Sequence, residues 1–334
     1  MAQAIISRRG GYATITFNGA SSLTKRGAAG LSVGRSSLAA TTVGNYALFG
    51  GGETNSTRSS AVDGYNTSLI RTNRTALSVA RDELVSATTG YYALFGGGYD
   101  GGNSSTVDAY DTSLTRSTPT ALSVARRDFA ATTVGNYALF GGGLGSGTVD
   151  AYNTSLTRST PTALSVARFA LAATTVGNYA LFGGGDNGTY SSTVDAYNTS
   201  LTRTTPTALS VARYSLAATT VGDYALFGGG YANGLAVDAY NTSLTRATLT
   251  DLSEERSSLA ATTVGNYALF GGGYANGVSS TVDAYYVNNK VLVYPGTKYK
   301  LGSMSSESTS STMQEIETTS PITGYIKIKD ATIN

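Results

Sequence analysis

Six arginines and six aspartates recur along this 334-residue chain at nearly constant distances. Each arginine stands 15 positions before the first residue of a Gly-Gly-Gly triplet, and five of the aspartates stand 18 positions before the next arginine. A guanidinium group either binds an anionic ligand or ties carbonyls and carboxylates together, and its presence in every repeat favours the structural role. We therefore predict six structural Arg–Asp pairs. The residues are Arg35, Arg81, Arg126, Arg168, Arg213 and Arg256 with Asp63, Asp108, Asp150, Asp195, Asp238 and Asp283.

Several kinds of catalytic and metal chemistry lack the residues they need. The chain contains no histidine and no cysteine, which excludes thiolate catalysis, disulfides and histidine metal sites. No carboxylate stands apart from the repeating ones as a general acid or base. Asp100 and Asp186 lie in Gly/Asn loops that suggest Ca²⁺, but carboxylates are too sparse there for an oxygen cage. We predict a protein that is not an enzyme and has no cofactor or metal.

Charge and hydropathy limit the kinds of partner and the cellular location that the sequence predicts. The net charge is +2 and no basic stripe is evident, so we expect no nucleic-acid partner. The first residues place an apolar piece before a basic pair, the reverse of a secretory signal, and no apolar stretch is long enough to span a membrane. We expect synthesis in the cytoplasm without a signal peptide, and no membrane insertion.

The elements that position these residues follow from one repeat of about 45 residues. After Arg213 the chain reads SLAATTV, GD, YALFGGG, a loop, and LAVDAYN. Gly-Asp between two strand-like runs is typical of a two-residue hairpin, and a glycine triplet ends the second strand. The VDAY run predicts a third strand, and the SLTR segment after the NTS turn predicts a fourth. Each repeat is therefore predicted to be a four-stranded antiparallel meander.

These repeats resemble the kelch repeat. The shared features are an arginine before the first strand, glycines that end the second, and a tyrosine in the third. The tryptophan usual in kelch repeats is absent from this Trp-free chain. The resemblance covers about residues 22 to 287, and it implies an all-β, six-bladed propeller with four antiparallel strands per blade. The six tyrosines are Tyr65, Tyr110, Tyr152, Tyr197, Tyr240 and Tyr285.

Counting strands suggests how the propeller closes. Only five fourth strands lie between the repeats, but Ser22-Leu23-Thr24-Lys25 matches them in sequence and in distance from Arg35. We predict that this N-terminal strand closes the sixth blade. The domains are then 1–21, an N-terminal hairpin; 22–288, the propeller; and 289–334, a C-terminal strand with a Ser/Thr-rich tail. The two ends either form a small shared sheet that anchors the propeller or remain a floppy tail.

Variation among the repeats is confined to one end of the blades. From each triplet to the next aspartate the steps are 13, 12, 9, 12, 10 and 12 residues, and the residues after each arginine also differ. In a meander these segments share one face, which we name the variable face. Either it recognises a ligand or its loops drift because they are exposed. The candidate ligand-binding residues are Tyr99, Tyr231, Tyr274, Phe169, Tyr214, Asp82 and Arg127.

The predicted function is a non-enzymatic binding or structural propeller. The Cys-free surface rich in Gly, Ser, Thr, Asn and Tyr, and the near-identical repeats, resemble structural proteins of bacteriophage tails and phage-tail-like particles. That resemblance implies a virion-associated protein that contacts other particle proteins through its termini and a host-surface glycan through its face. The alternative is an intracellular kelch scaffold that binds a protein partner. A carbohydrate-active enzyme is a third class.

Overall fold

The computed structural model describes residues 28–55 and 57–287 throughout, and beyond them the backbone of the terminal strands given below. Its described residues contain strands and turns but no helix. They form two compact units. The larger unit, residues 27–264 and 268–284, contains six antiparallel blades around a central channel. The predicted all-β, six-bladed propeller is confirmed.

Each blade is a meander whose strands follow in chain order from the channel outward. The first strands are Ala39–Val43, Val85–Thr89, Ala130–Val134, Ala172–Val176, Ala217–Val221 and Ala260–Val264. The second strands are Tyr46–Gly50, Tyr92–Gly96, Tyr137–Gly141, Tyr179–Gly183, Tyr224–Gly228 and Tyr267–Gly271. The third strands are Val62–Asn66, Val107–Asp111, Val149–Tyr152, Val194–Asn198, Val237–Asn241 and Val282–Tyr286.

The fourth strands are short and complete five of the blades. They are Arg71–Arg74, Arg116–Ser117, Arg158–Ser159, Arg203–Thr204 and Arg246–Thr248. Blade 1 also carries a small hairpin, Glu53–Thr54 with Thr57–Arg58, in its post-triplet loop. The described part of blade 6 has three strands, and the predicted closing strand at 22–25 lies outside the described residues.

The glycine triplet is explained by how neighbouring blades meet. A Cβ on Gly96 would lie 2.9 Å from a ring carbon of Phe140 in the next blade, so a side chain has no room there. The two glycines that follow, Gly97 and Gly98, have φ of +62° and +102°, which other residues rarely adopt. The same glycine–phenylalanine contact joins the other consecutive blades from 1 to 6: Gly50 with Phe95, Gly141 with Phe182, Gly183 with Phe227, and Gly228 with Phe270.

The core therefore lies between blades and not inside one blade. Leu48 and Val62 of blade 1 pack in one cluster with Ala93, Phe95 and Tyr110 of blade 2. The rings of Phe95 and Tyr110 meet edge to face at 5.9 Å, and the Tyr110 hydroxyl donates to a backbone carbonyl at 2.7 Å. Burial raises the pKa of this tyrosine, so its hydroxyl remains a donor.

Hydrogen bonds of threonine hydroxyls also join neighbouring blades along the channel. Thr132 and Thr175 are joined oxygen to oxygen at 2.9 Å, and the Thr133 hydroxyl donates to the Thr88 carbonyl at 2.7 Å. The channel is a cavity of about 480 Å³ lined mostly by such threonines. Because their hydroxyls are already bonded to neighbouring blades, we assign the channel a structural role.

The contact between blades 6 and 1 differs from the other five. Within the described part of the chain, neither the glycine–phenylalanine contact nor the threonine bonds connect these two blades. Val282 is 60% exposed, while the matching valines of blades 1 to 5 are at most 2% exposed. Phe49 of blade 1, which matches the phenylalanines in the other contacts, is half-buried, whereas Phe95, Phe140, Phe182, Phe227 and Phe270 are fully buried. Among the described residues, the apolar faces of blades 6 and 1 are therefore not packed together.

The smaller unit contains strands from both chain ends. One sheet has the order Ala4–Arg9, Tyr12–Phe17, Gly324–Lys329, Lys298–Leu301 and Ser308–Thr309. A second sheet pairs Asn289–Val293 with Gln314–Thr318. The N-terminal hairpin therefore pairs directly with a C-terminal strand, Tyr12 lying opposite Lys329 and Phe17 opposite Gly324.

Candidate ligand-binding face

All six repeating arginines are committed to aspartates of their own blade. The guanidinium and carboxylate atoms of each pair lie 2.5 to 3.0 Å apart, and each arginine side chain is fully buried. The same arginine also donates to the carbonyl of the second-strand phenylalanine, as Arg126 does to Phe140 at 2.9 Å. The structure thus places these arginines inside the blades, where their guanidinium groups are not exposed.

The partner aspartates have little capacity left for anything else. In blade 2, Asp108 accepts a second guanidinium, that of Arg116, at 2.8 Å and the backbone N–H of Ser78 at 2.9 Å. Burial opposes the ionised form of Asp63, but hydrogen bonds from Arg71, Arg35 and Ser32 outweigh it and hold the pKa of this carboxyl below its usual value. Asp63 therefore remains charged inside the blade at neutral pH.

Two positions that vary among the repeats are hydrogen-bonded to each other. The residue after each repeating arginine pairs with the residue after the triplet, as Asp82 does with Tyr99 through two backbone bonds of 3.1 and 2.8 Å. Short loop segments on the variable face are therefore held like strands. The remaining pairs are Ser36 with Glu53, Arg127 with Leu144, Phe169 with Asp186, Tyr214 with Tyr231, and Ser257 with Tyr274.

A second set of backbone bonds links these pairs from blade to blade. The residue two places after each arginine has φ between +50° and +54°, although it is never glycine. In blades 2, 4, 5 and 6 its N–H donates to the same residue of the preceding blade, for example from Ser215 to Ala170 at 2.8 Å and from Ser258 to Ser215 at 2.9 Å. The variable face therefore rests on a rigid base. The left-handed residues are Ser37, Glu83, Asp128, Ala170, Ser215 and Ser258.

The side of the face formed by blades 1 to 3 carries a charged network. The guanidinium groups of Arg58 and Arg127 lie over the ring of Tyr99, at 4.3 and 4.6 Å from its centroid. Arg58 also lies 3.4 Å from Asp82, and Arg127 lies 3.5 Å from Glu83. Three of the predicted binding residues, Tyr99, Asp82 and Arg127, are thus brought together, but they interact chiefly with one another.

The side formed by blades 4 and 5 carries an aromatic cluster of Tyr190, Tyr214 and Tyr231. The rings of Tyr190 and Tyr214 are stacked, 5.3 Å apart at 26°, and Tyr231 lies 5.9 and 5.4 Å from them. Tyr190 and Tyr231 remain 44% and 53% exposed. Burial, then the neighbouring Tyr190, Tyr231 and Asp186, raises the pKa of Tyr214, so its hydroxyl stays protonated. We call these three residues the tyrosine patch.

Sequence reasoning found two members of the patch and missed the third. Tyr214 follows Arg213, and Tyr231 follows its triplet, so both occupy repeating positions. Tyr190 lies within the loop of variable length, at a position where blades 2 and 6 carry other residues. The loop turns back through a Gly188 N–H that donates to the Asp186 carboxylate at 2.7 Å, and this brings Tyr190 over the next blade.

The other two predicted residues stand apart from both clusters. Tyr274 is 60% exposed and pairs by backbone with Ser257. Phe169 is half-buried, and its backbone pairs with Asp186.

Among the residues that the structure describes, no group of three acidic side chains is placed to hold a metal ion, and no helix could cross a membrane.

Comparisons with known proteins extend to the fold alone. No protein-family model matches the chain, and no curated protein matches it. Among solved structures, 608 chains match. One of them, described as the structure of YjhT, has a TM-score of 0.59 and is 14% identical; the match covers 77% of this chain and 96% of that one.

Proposed function

We propose that this propeller is a non-enzymatic binding module of a phage virion or phage-tail-like particle, and that its variable face recognises a glycan on the host surface. The observation that carries the proposal is the backbone pairing, on one face, of two positions of each blade that vary among the repeats. A constant scaffold that presents varied side chains is the usual arrangement of recognition surfaces.

The chemistry of the face supports binding over catalysis. Its charged residues on blades 1 to 3 neutralise one another, and its exposed aromatic rings lie on blades 4, 5 and 6. Exposed tyrosines supply contact area at low entropic cost and stack against the apolar faces of sugars. The particle setting is supported by the Cys-free composition rich in small hydroxyl residues, and by terminal strands available for contacts with other particle proteins.

Binding to intact cells of candidate hosts tests the proposal. The variant replaces the blade 4 loop, 186–193, with the shorter blade 3 loop, 144–148, since both join a triplet to a third strand. We expect wild type to bind, the loop exchange to weaken binding, and periodate treatment of the cells to abolish it. Tyr91→Ala, at an exposed tyrosine on the opposite end of blade 2, is the control.

Two results would contradict the proposal. Wild type that binds no candidate host would remove the host-surface role, and binding lost after protease but not after periodate would favour a scaffold for a protein partner. Tail, baseplate or capsid genes beside this gene would support the particle setting, whereas regulatory neighbours would contradict it.

A further inference from the structure

We infer that Tyr190, Tyr214 and Tyr231 form a subsite for the apolar face of an uncharged sugar ring, with Asp186 accepting hydrogen bonds from its hydroxyls. This inference rests on the proposed function and names the ligand class of its site. The subsite spans two blades, since Tyr190 belongs to the blade 4 loop and the other two tyrosines belong to blade 5.

The spacing of the rings decides between two kinds of aromatic site. An aromatic cage that holds a cation needs a gap between its rings, but these centroids lie only 5.3 to 5.9 Å apart, so the rings touch each other. A ligand can therefore contact the outer surfaces of these rings but cannot enter between them. A sugar ring with a row of axial C–H bonds fits such a surface.

The polar surroundings favour an uncharged ligand. Among the described residues, the cation–π contacts involve Tyr46, Tyr99 and Phe129, and none involves the patch. The nearby charge that acts on Tyr214 is the carboxylate of Asp186, which would repel a carboxylated sugar. One oxygen of Asp186 accepts the Gly188 N–H at 2.7 Å, which holds the carboxylate in place. Carboxylates accept hydrogen bonds strongly, and sugar hydroxyls supply the donors.

The other tyrosines of the variable face do not offer the same surface. Tyr99 already has the guanidinium groups of Arg58 and Arg127 over its ring. Tyr274 is 60% exposed, but no ring contact places a second aromatic side chain beside it in the described structure. Within the part of the chain that the structure describes, the patch is thus distinguished by contiguous aromatic area whose ring contacts all lie within the patch.

Titration with defined oligosaccharides tests the subsite. The probes are maltohexaose and chitohexaose, which are neutral, and hexagalacturonate, which is anionic. We expect at least one neutral probe to bind, hexagalacturonate to bind at least about tenfold more weakly, and Y190A/Y214A/Y231A to weaken the neutral probe at least about tenfold. Tyr91→Ala is a single-tyrosine control of 67% exposure at the opposite end of blade 2, and it is expected to retain wild-type affinity.

Three outcomes would overturn the inference: tighter binding of hexagalacturonate, undiminished binding by the triple variant, or no binding of either neutral probe. The cell-binding assay separates these from failure of the proposed function. If wild type still binds host cells and periodate abolishes this binding, the variable face binds a glycan through other residues. If it binds no cells, the proposed function itself fails.

Discussion

At the scale of single residues, the repeating groups serve the interior of the blades. Arg126 and Asp150 are both completely buried and lie 2.7 Å apart. Burial lowers the pKa of Arg126, while the charge and hydrogen bond of Asp150 oppose that effect. A buried ion pair adds little net stability because both charges lose their hydration, but removing one partner leaves the other charge uncompensated. The pair therefore matters most for the geometry it enforces.

The first prediction concerns this pair. Asp150→Ala should lower the free energy of unfolding by about 3–5 kcal/mol, because the Arg126 guanidinium would remain buried without a counter-charge. Urea unfolding measured by circular dichroism checks this. The matched variant Asp100→Ala changes an exposed loop aspartate and should stay within about 0.5 kcal/mol of wild type. Equal stability of the two variants would contradict the structural role of the pair.

The second prediction concerns the first glycine of a triplet. Gly96→Ala places a methyl group 2.9 Å from the Phe140 ring, and the resulting overpacking should cost about 1–3 kcal/mol. Gly102→Ala in the same blade is the control, because nothing lies within 4 Å of its added Cβ. Thermal unfolding of both variants provides the comparison. A melting temperature for Gly96→Ala no lower than that of Gly102→Ala would show that the blades separate easily at this contact.

At the scale of elements, the charged network ties loops of blades 1, 2 and 3 together. Glu83 is the member whose ionisation is disfavoured: burial and the charge of Asp128 raise its pKa, and Arg127 only partly offsets them. The folded state therefore holds this proton more tightly than the unfolded chain does. The stability that Glu83 contributes is present at low pH and is lost as pH rises through its folded pKa.

The third prediction follows from the raised pKa of Glu83. Glu83→Gln keeps the protonated shape at every pH, so we expect it to match wild type below the usual glutamate range, about pH 4, and to become more stable than wild type above it. Melting temperatures between acidic and neutral pH measure the difference. Asp100→Asn, at an exposed loop position, should show no such divergence. A Glu83→Gln variant that loses stability at neutral pH would mean that its ion pair with Arg127 dominates.

At the scale of the whole molecule, five blade contacts are alike and the sixth is unpacked in the described part. The residues that would complete it are all present: Phe49 opposite Gly271, and Thr42 opposite Thr262, as Thr175 stands opposite Thr132. Two apolar faces on one chain meet at high effective concentration, so their burial against each other favours closure within the molecule.

The fourth prediction tests this closure in a chain that contains no native cysteine. The variant T42C/T262C should form a disulfide within one molecule on mild oxidation, and the bond should raise the melting temperature. The matched control is T132C/T175C, whose hydroxyl oxygens lie 2.9 Å apart between blades 3 and 4. Thiol titration and non-reducing electrophoresis distinguish the products. Disulfide-linked dimers of T42C/T262C would show that the two faces pack against other copies instead.

The sequence alone was sufficient to predict the all-β class, the six blades, the strand order and the end of the blades on which the variable loops lie. Each of these features follows from a local sequence pattern, and the same pattern occurs in every repeat. The closing strand at 22–25 and the particle setting remain predictions. The left-handed residues after each arginine were not predicted, because serine, glutamate and alanine carry no local preference for positive φ and adopt it here through bonds to the preceding blade.

Tertiary structure alone decided which tyrosines are available to a ligand. Tyr99 and Tyr231 occupy the same position of their repeats, yet guanidinium groups lie over one ring and two tyrosines surround the other. The difference arises because side chains of adjacent blades meet on the variable face, and the loop position of Tyr190 carries other residues in blades 2 and 6. Sequence spacing describes a residue's place within its own blade. Contacts between blades depend on how the loops of adjacent blades fold over one another, and the spacing of residues along the chain does not predict this.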